Sequence, residues 1–267
     1  MASITTRTLL EMKEKGERIV ALTCYDALFA RLLDASGIDI LLVGDSLNQV
    51  LAGAGSTLSA TLEQMIYHTT IVRRGAERAL VICDMPFLTY QITPEDALRN
   101  CGRVMKETGC QGVKIEGGQP LAATVRRLVD VGIPVMGHIG LTPQSVHALG
   151  GYRVQGRDDA TAERLKADAQ ALEDAGAFAV VLELVPAALA SQITKALTIP
   201  TIGIGAGPAC DGQVLVLHDM LGLNDQFSAK FVKKYAALAE DVREAARLFA
   251  AEVREGRYPG PEHSFGK

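Results

Sequence analysis

The chain of 267 residues has no excess of positive charge: 27 Lys and Arg stand against 31 Asp and Glu, a formal net charge of −4. A nucleic-acid-binding surface wants a basic face, so that class of function is set aside. There is no Cys-x-x-Cys spacing, and the five cysteines (Cys24, Cys83, Cys101, Cys110, Cys210) are odd in number. Both facts favour reduced thiols in a cytosolic protein over a disulfide framework or a zinc site. Long hydrophobic runs are missing too. The longest, 178–190, is broken by Glu183 and Pro186, and a membrane helix needs roughly 18 uninterrupted residues. The opening Met-Ala-Ser-Ile-Thr-Thr-Arg has no apolar signal core, so the expected location is the cytoplasm. No linker, second domain or internal repeat is visible, which predicts one domain over residues 1–267.

What the sequence does have begins at 38–50, Ile-Asp-Ile-Leu-Leu-Val-Gly-Asp-Ser-Leu-Asn-Gln-Val. An unbroken apolar run stops at Gly44 and delivers Asp45 and Ser46, the pattern of a fully buried strand in a parallel sheet. It recurs as Val81-Ile82-Cys83-Asp84 and as Gly112-Val113-Lys114-Ile115-Glu116. The acids are 39 and 32 residues apart, each gap about one strand-plus-helix unit. Strands are predicted at 19–23, 40–43, 80–84, 112–116, 134–138, 178–184, 200–204 and 214–217. Helices are predicted at 8–15, 27–36, from Thr61 to Gly75, from Thr93 to Gly109, from Pro120 to Gly132, at 160–175 and at 186–196. Thr61-Leu-Glu-Gln64 has the form of a capping box, and Thr93-Pro94-Glu95-Asp96 supplies a capping hydroxyl, a first-turn Pro and early acids. Eight strands alternating with helices predict a closed (β/α)₈ barrel, for which about 250 residues is typical. A long helix over 230–255, with Phe231, Tyr235, Leu238, Val242, Leu248, Phe249 and Val253 as its apolar surface, and an irregular tail complete the chain. The loop 139–157 is long enough to imply a task such as covering a ligand.

Barrel chemistry gathers at the C-terminal ends of the strands. Asp45, Asp84 and Glu116 end three successive ones, and hard oxygen donors select Mg²⁺ or Mn²⁺ over Zn²⁺. For each acid the plainer alternative is a helix cap or a Lys pair. Lys114 lies two residues before Glu116 and so points the same way. It can bind a carboxylate, form an ion pair alone, or act as a Schiff-base nucleophile. Glu183 interrupts an apolar strand, a setting that suits a general base, unless it points outward. His138 ends the fifth strand and can polarise a substrate oxygen or play a structural part. Ser46 can donate to a bound carboxylate or cap a turn. Gly203-Ile-Gly-Ala-Gly207 lacks the strand-turn-helix context of a dinucleotide site and is read as a tight turn.

Taken together, these motifs resemble the ketopantoate hydroxymethyltransferase family. The resembling stretches are Leu-Leu-Val-Gly-Asp-Ser-Leu (41–47), Tyr-His-Thr (67–69), Asp-Met-Pro-Phe (84–87), Val-Lys-Ile-Glu-Gly-Gly (113–118), Gly-His-Ile-Gly-Leu-Thr-Pro-Gln-Ser (137–145), Gly-Gly-Tyr-Arg-Val-Gln-Gly-Arg (150–157), Leu-Glu-Leu-Val-Pro (182–186), Ile-Gly-Ile-Gly-Ala-Gly (202–207) and Pro-Gly-Pro-Glu-His-Ser-Phe (259–265). They run the length of the chain in order. The resemblance implies a TIM barrel of the phosphoenolpyruvate/pyruvate type. It implies one Mg²⁺ per subunit at Asp45, Asp84 and Glu116, ketoacid binding by Asp45, Ser46, Asp84 and Lys114, and proton abstraction by Glu183. It implies transfer from 5,10-methylenetetrahydrofolate to 3-methyl-2-oxobutanoate through a Mg²⁺-stabilised enolate, in pantothenate biosynthesis, by a cytoplasmic homodecamer built as a pentamer of dimers. Three rivals stand beside it: another Mg²⁺-dependent 2-oxo acid lyase or mutase of the same barrel class, a Schiff-base aldolase using Lys114, and a non-catalytic assembly barrel.

Overall fold

Among residues 3–266, which the computed structural model describes, eight parallel strands close into a barrel in sequence order. They are β1 (Ile19–Thr23), β2 (Ile40–Val43), β3 (Leu80–Asp84), β4 (Gly112–Glu116), β5 (Val135–Gly140), β6 (Ala179–Glu183), β7 (Thr201–Ile204) and β8 (Gly212–Leu215). Met1 and Ala2, at the head of the expected opening segment, and Lys267, at the end of the expected domain, lie outside the described residues. The first four strands fall where the sequence places them. The other four shift by one or two residues at their ends. The chain divides into two compact units, Met1–Val216, which holds the barrel, and Leu217–Lys267.

Helices between the strands start where capping chemistry dictates. Thr61 accepts from the Gln64 N–H, and the Gln64 side chain accepts from the Thr61 N–H, so the box satisfies two orphan donors of the helix Leu62–Gly75. Thr93 accepts from the Asp96 N–H ahead of Pro94. The barrel interior is filled by alternate residues of every strand but β4: Ile19 and Ala21, Ile40 and Leu42, Leu80 and Ile82, Met136, Ala179 and Val181, Ile202, Val214. Ile4, just ahead of the N-terminal helix Thr6–Lys15, and Leu9 within it join this cluster.

The N-terminal ends of the strands are bolted by carboxylates that accept from backbone. Asp39 accepts from the Val20 N–H at 3.0 Å and pairs with Arg78 at 2.6 Å. Asp211 accepts from the Thr201 N–H and from Lys13, both at 2.8 Å. Asp34 accepts from the N–H groups of Glu77, Arg78 and Ala79 just ahead of β3. Burial raises the Asp34 pKa, but these three donors and the Arg78 charge outweigh it and hold the carboxyl below its ordinary value. Hydrogen bonds to a charged group are worth about 1.5–3 kcal/mol each, and part of that returns as hydration when the bonds are lost. Asp34→Ala is therefore expected to cost about 2 kcal/mol at neutral pH in denaturant unfolding. The folded pKa lies below the unfolded one. The contribution is thus complete above the unfolded value of about 3.9 and is lost as pH falls through the folded value. A gap between wild type and variant that stayed constant from neutral pH to about pH 3 would contradict this account.

Three local expectations are corrected. The final helix is Leu238–Arg254, not 230–255. Lys230, Lys233 and Lys234 would have faced the positive end of its dipole, whereas Glu240 and Asp241 suit its first turn. The helix from Pro120 opens as a 3₁₀ turn, Gln119–Leu121, and becomes α-helical only at Ala122. The loop 139–157 is shorter than expected, because β5 runs to Gly140 and a 3₁₀ turn occupies Pro143–Ser145. Within the second unit, Arg243 pairs with Asp225, Asn224 donates to Asp219, and Val242, Leu248, Phe249 and Val253 are exposed.

Candidate active site at the C-terminal mouth of the barrel

The alternation that fills the core continues upward into polar residues. On β3, Leu80 and Ile82 lead to Asp84. On β4, Lys114 and Glu116 share the inward face. On β5, Met136 leads to His138, and on β6, Ala179 and Val181 lead to Glu183. Strand pairing sets Asp84 beside Lys114, Glu116 beside His138, and Glu183 beside Gly140. Gly140 is required at that place: its φ is +94°, and a Cβ there would meet the Glu183 carbonyl oxygen at 2.2 Å. Asp45 arrives differently, from the turn after β2. Gly44 leaves room at this turn, where a Cβ would sit 2.7 Å from Ser46 Oγ and make that hydroxyl move. The turn brings the Asp45 N–H to Asp84 Oδ2 at 3.2 Å.

The result is a buried charge cluster. Lys114 Nζ lies 2.5 Å from Asp84 Oδ1 and 3.8 Å from Glu116 Oε1. His138 Nε2 lies 3.1 Å from Glu183 Oε2, and its Nδ1 faces Lys114 Nζ at 3.2 Å and Glu116 Oε1 at 3.4 Å. The Asp84, Lys114, Glu116 and His138 side chains are 3–4% exposed, but Glu183 is 16% exposed. Glu183 is therefore the member open to an incoming molecule.

Burial pushes the Asp45 carboxyl well above its ordinary pKa, and the Asp84 and Glu116 charges push it further. Burial also raises Asp84, although Lys114 pulls the other way. Glu116 ends below its ordinary value: burial raises it, but His138, Lys114 and the Gln144 N–H prevail. Burial alone would lower Lys114, yet Asp84, Glu116 and Asp45 hold it above its ordinary value. Burial and Lys114 likewise disfavour charge on His138, but its bonds to Glu116 and Glu183 lift it to about 9.

Every site residue expected from the sequence stands at this mouth. Ser46 precedes the short helix Leu47–Val50 but makes no capping bond to it. Its hydroxyl lies 2.9 Å from Tyr25 Oη instead, so the cap reading fails. Glu183 points inward, not out. Lys114 is in an ion pair, and a held ammonium lacks the lone pair a Schiff base needs. Sequence reasoning missed Gln144, Tyr90 and Tyr25. Gln144 donates from Nε2 to Asp45 Oδ2 at 3.0 Å and from its backbone N–H to Glu116 Oε2 at 2.9 Å. The sequence signals for it are its place in the long loop after β5 and in the family-resembling stretch 137–145, neither of which gives it a role.

The donor set fits a hard divalent cation. Asp45, Asp84, Glu116 and Glu183 set four carboxyl groups against one ammonium and one imidazole, and a dication would relieve the repulsion that raises Asp45. Among the described residues, no three His, Cys, Asp or Glu side chains form a closed metal cluster. A cation here would complete its shell with water or substrate oxygens, as Mg²⁺ commonly does.

Comparison with known proteins agrees with this picture. The model of the family described as ketopantoate hydroxymethyltransferase matches residues 3–261. The 3-methyl-2-oxobutanoate hydroxymethyltransferase of Pelodictyon phaeoclathratiforme is 52% identical, over 99% of this chain and 97% of that protein. Among solved structures, 2,3-dimethylmalate lyase, a PEP mutase/isocitrate lyase superfamily member, covers 98% of this chain and 93% of its own at a TM-score of 0.61 and 18% identity. Phosphonopyruvate hydrolase in complex with oxalate and Mg++ covers 97% and 93% at a TM-score of 0.63 and 11% identity. The two structures share the fold.

Proposed function

The chain belongs to the ketopantoate hydroxymethyltransferase family and is an enzyme of that family, and from that premise we propose that it transfers a hydroxymethyl group from 5,10-methylenetetrahydrofolate to 3-methyl-2-oxobutanoate. The products are 2-dehydropantoate and tetrahydrofolate, a step of pantothenate biosynthesis. The observation that carries this reading is the meeting of Asp84, Lys114, Glu116, His138 and Glu183 at one barrel mouth. The cluster offers a fixed cation for a carboxylate, an excess of hard oxygen donors, and one accessible carboxylate to act as base.

Asp45, Asp84 and Glu116 would hold one Mg²⁺ per subunit, some of them through water. When bound, the cation supplies Lewis acidity at the 2-oxo group, which makes the C3 proton removable. That phosphonopyruvate hydrolase was solved with oxalate and Mg++ supports the same pairing of carboxylate and cation here. Lys114 keeps ammonium protons beyond the one given to Asp84, and with Ser46 it holds the substrate carboxylate. Asp45 and Asp84 border the same pocket. Glu183 takes the C3 proton, and His138, whose Nε2 lies 3.1 Å from its Oε2, pairs with its carboxylate. Water releases the folate's one-carbon unit as a carbonyl by breaking both of its C–N bonds, and tetrahydrofolate leaves carrying the two N–H protons. The carbon nucleophile so formed at C3 adds to that carbonyl carbon, whose oxygen takes the proton back from Glu183 to become the hydroxyl. On the same premise the chain works in the cytoplasm as a homodecamer, a pentamer of dimers. The exposed Val242, Phe249 and Val253 of one helix favour burial in an assembly.

The test is deuterium exchange at C3 of 3-methyl-2-oxobutanoate in heavy water, followed by NMR without folate. Exchange is expected with Mg²⁺ and is expected to stop with a chelator. Exchange that survives the chelator would remove the cation from the mechanism. No exchange by folded, Mg²⁺-supplied protein, even with an unreactive folate analogue, would contradict the ketoacid assignment.

A further inference from the structure

We infer that Gln144 is a positioning residue that fixes how Asp45 and Glu116 present their oxygens to a divalent cation. The inference rests on the metal-site reading above. Gln144 sits in the 3₁₀ turn Pro143–Ser145 after β5, and it is 5% exposed. From there it reaches acids at the ends of two other strands.

Its amide can stand only one way. Nε2 faces the Met85 carbonyl oxygen at 2.9 Å, and a carbonyl can only accept. The group facing Met85 must therefore be the NH₂. The same NH₂ group donates to Asp45 Oδ2 at 3.0 Å. On the other side, Oε1 accepts from Tyr90 Oη at 2.7 Å and from Gln91 Nε2 at 3.0 Å. A flipped amide would set Oε1 against Met85 O and Asp45, and Nε2 against the Gln91 donor. The Tyr90 hydroxyl, buried and donating to Gln144, accepts in turn from the Glu116 N–H at 3.0 Å. Gln144's own backbone N–H donates to Glu116 Oε2.

One residue thus occupies one oxygen of each of two acids. Asp45 is left with Oδ1 to turn toward a cation. Glu116 is left with Oε1, which faces Lys114 and His138. Without the NH₂, buried Asp45 loses the side-chain donor that offsets repulsion from Asp84 and Glu116 and is released to rotate. Partners that orient metal ligands typically change metal affinity by about 10–100-fold when removed.

The experiment measures Mn²⁺ binding by the electron paramagnetic resonance signal of free Mn²⁺, on wild type, Gln144→Met and Tyr90→Phe. Met keeps the length and bulk of Gln and removes its hydrogen bonds. Gln144→Met is expected to bind Mn²⁺ about 10–100-fold more weakly. Its turnover should fall at limiting Mn²⁺ and recover toward wild type at saturating Mn²⁺, a rescue that mere structural damage would not give. Tyr90→Phe, which removes the donor behind the amide together with the acceptor of the Glu116 N–H, is expected to weaken Mn²⁺ binding in the same direction, by about threefold or more. Mn²⁺ affinity within twofold of wild type in folded Gln144→Met overturns the inference and leaves the metal-site reading intact. If Gln144→Met does not fold, unchanged affinity in Tyr90→Phe overturns it. A wild-type protein that binds no Mn²⁺ overturns both.

Discussion

Glu183→Gln is expected to lower kcat by about 10³-fold, within the roughly 10²–10⁴-fold worth of a positioned general base, while ketoacid affinity changes by less than about threefold. The asymmetry follows from where the residue sits. Glu183 is the last residue of β6, directed inward by the parity it shares with Ala179 and Val181. Its backbone is pinned on both sides: its carbonyl accepts from the Leu141 N–H at 2.8 Å, and the Leu184 N–H donates to Ile204 O at 2.9 Å. Leu184 has a φ of 46°, a left-handed conformation that costs a branched side chain about 1–3 kcal/mol. Strain of that kind is kept only where the surroundings over-determine it. Here the β6 end must turn sharply, so that Glu183 faces the mouth while Gln155 bonds to the Leu184 carbonyl. A Gln at position 183 has the same length and still sets a side-chain oxygen facing His138 Nε2. It cannot take a proton. Steady-state kinetics and calorimetric titration of ketoacid with Mg²⁺ present would check this. Equal loss of turnover and binding would reduce Glu183 to a structural acid, and unchanged turnover would move the base elsewhere.

How much of this was legible beforehand depends on the range of the interaction. The parity of Lys114 and Glu116, the inward acid at the end of β3 and the strand-breaking Glu183 are local facts. A period of two, together with the rule that barrel sites lie at C-terminal strand ends, is enough to place them. The capping boxes are equally local, since Thr61 and Gln64 meet within one turn. Gln144 was not legible, because its meaning comes from partners 99 residues away at Asp45 and 54 residues away at Tyr90, and nothing in a polar loop announces them. The helix start at Leu238 was missed for a different reason. The apolar spacing continues upstream through Phe231 and Tyr235, and only the placement of charge against the dipole separates the helix from what precedes it. The Ser46 alternatives could not be resolved from sequence either, because Tyr25 lies on a neighbouring strand's connection and not in the same turn.

Lys114→Met makes the second large prediction, and it runs in two directions at once. In metal-free protein the substitution should cost about 3–5 kcal/mol, the usual consequence of stripping one partner from a buried pair, and should lower Tm by roughly 10 °C in a chain this size. Met fills the space of the lysine stem, so the loss is electrostatic: Asp84 loses a partner at 2.5 Å and Glu116 one at 3.8 Å. Ketoacid affinity should fall by at least about tenfold, roughly the lower end of what a charge-assisted hydrogen bond is worth, since the carboxylate loses its cation. Divalent cation binding should move the other way. With the ammonium gone, Asp45, Asp84 and Glu116 form a more negative cavity, and a dication no longer competes with a fixed positive charge. Added Mg²⁺ is therefore expected to raise Tm more in Lys114→Met than in wild type. That excess distinguishes a lysine that balances a metal site from one that only braces the barrel. If Mg²⁺ stabilises the variant less than wild type, the three acids are not a cation site and the lysine is there to neutralise them. If borohydride and ketoacid trap an adduct on wild-type Lys114, its ammonium is not held and the Schiff-base route returns.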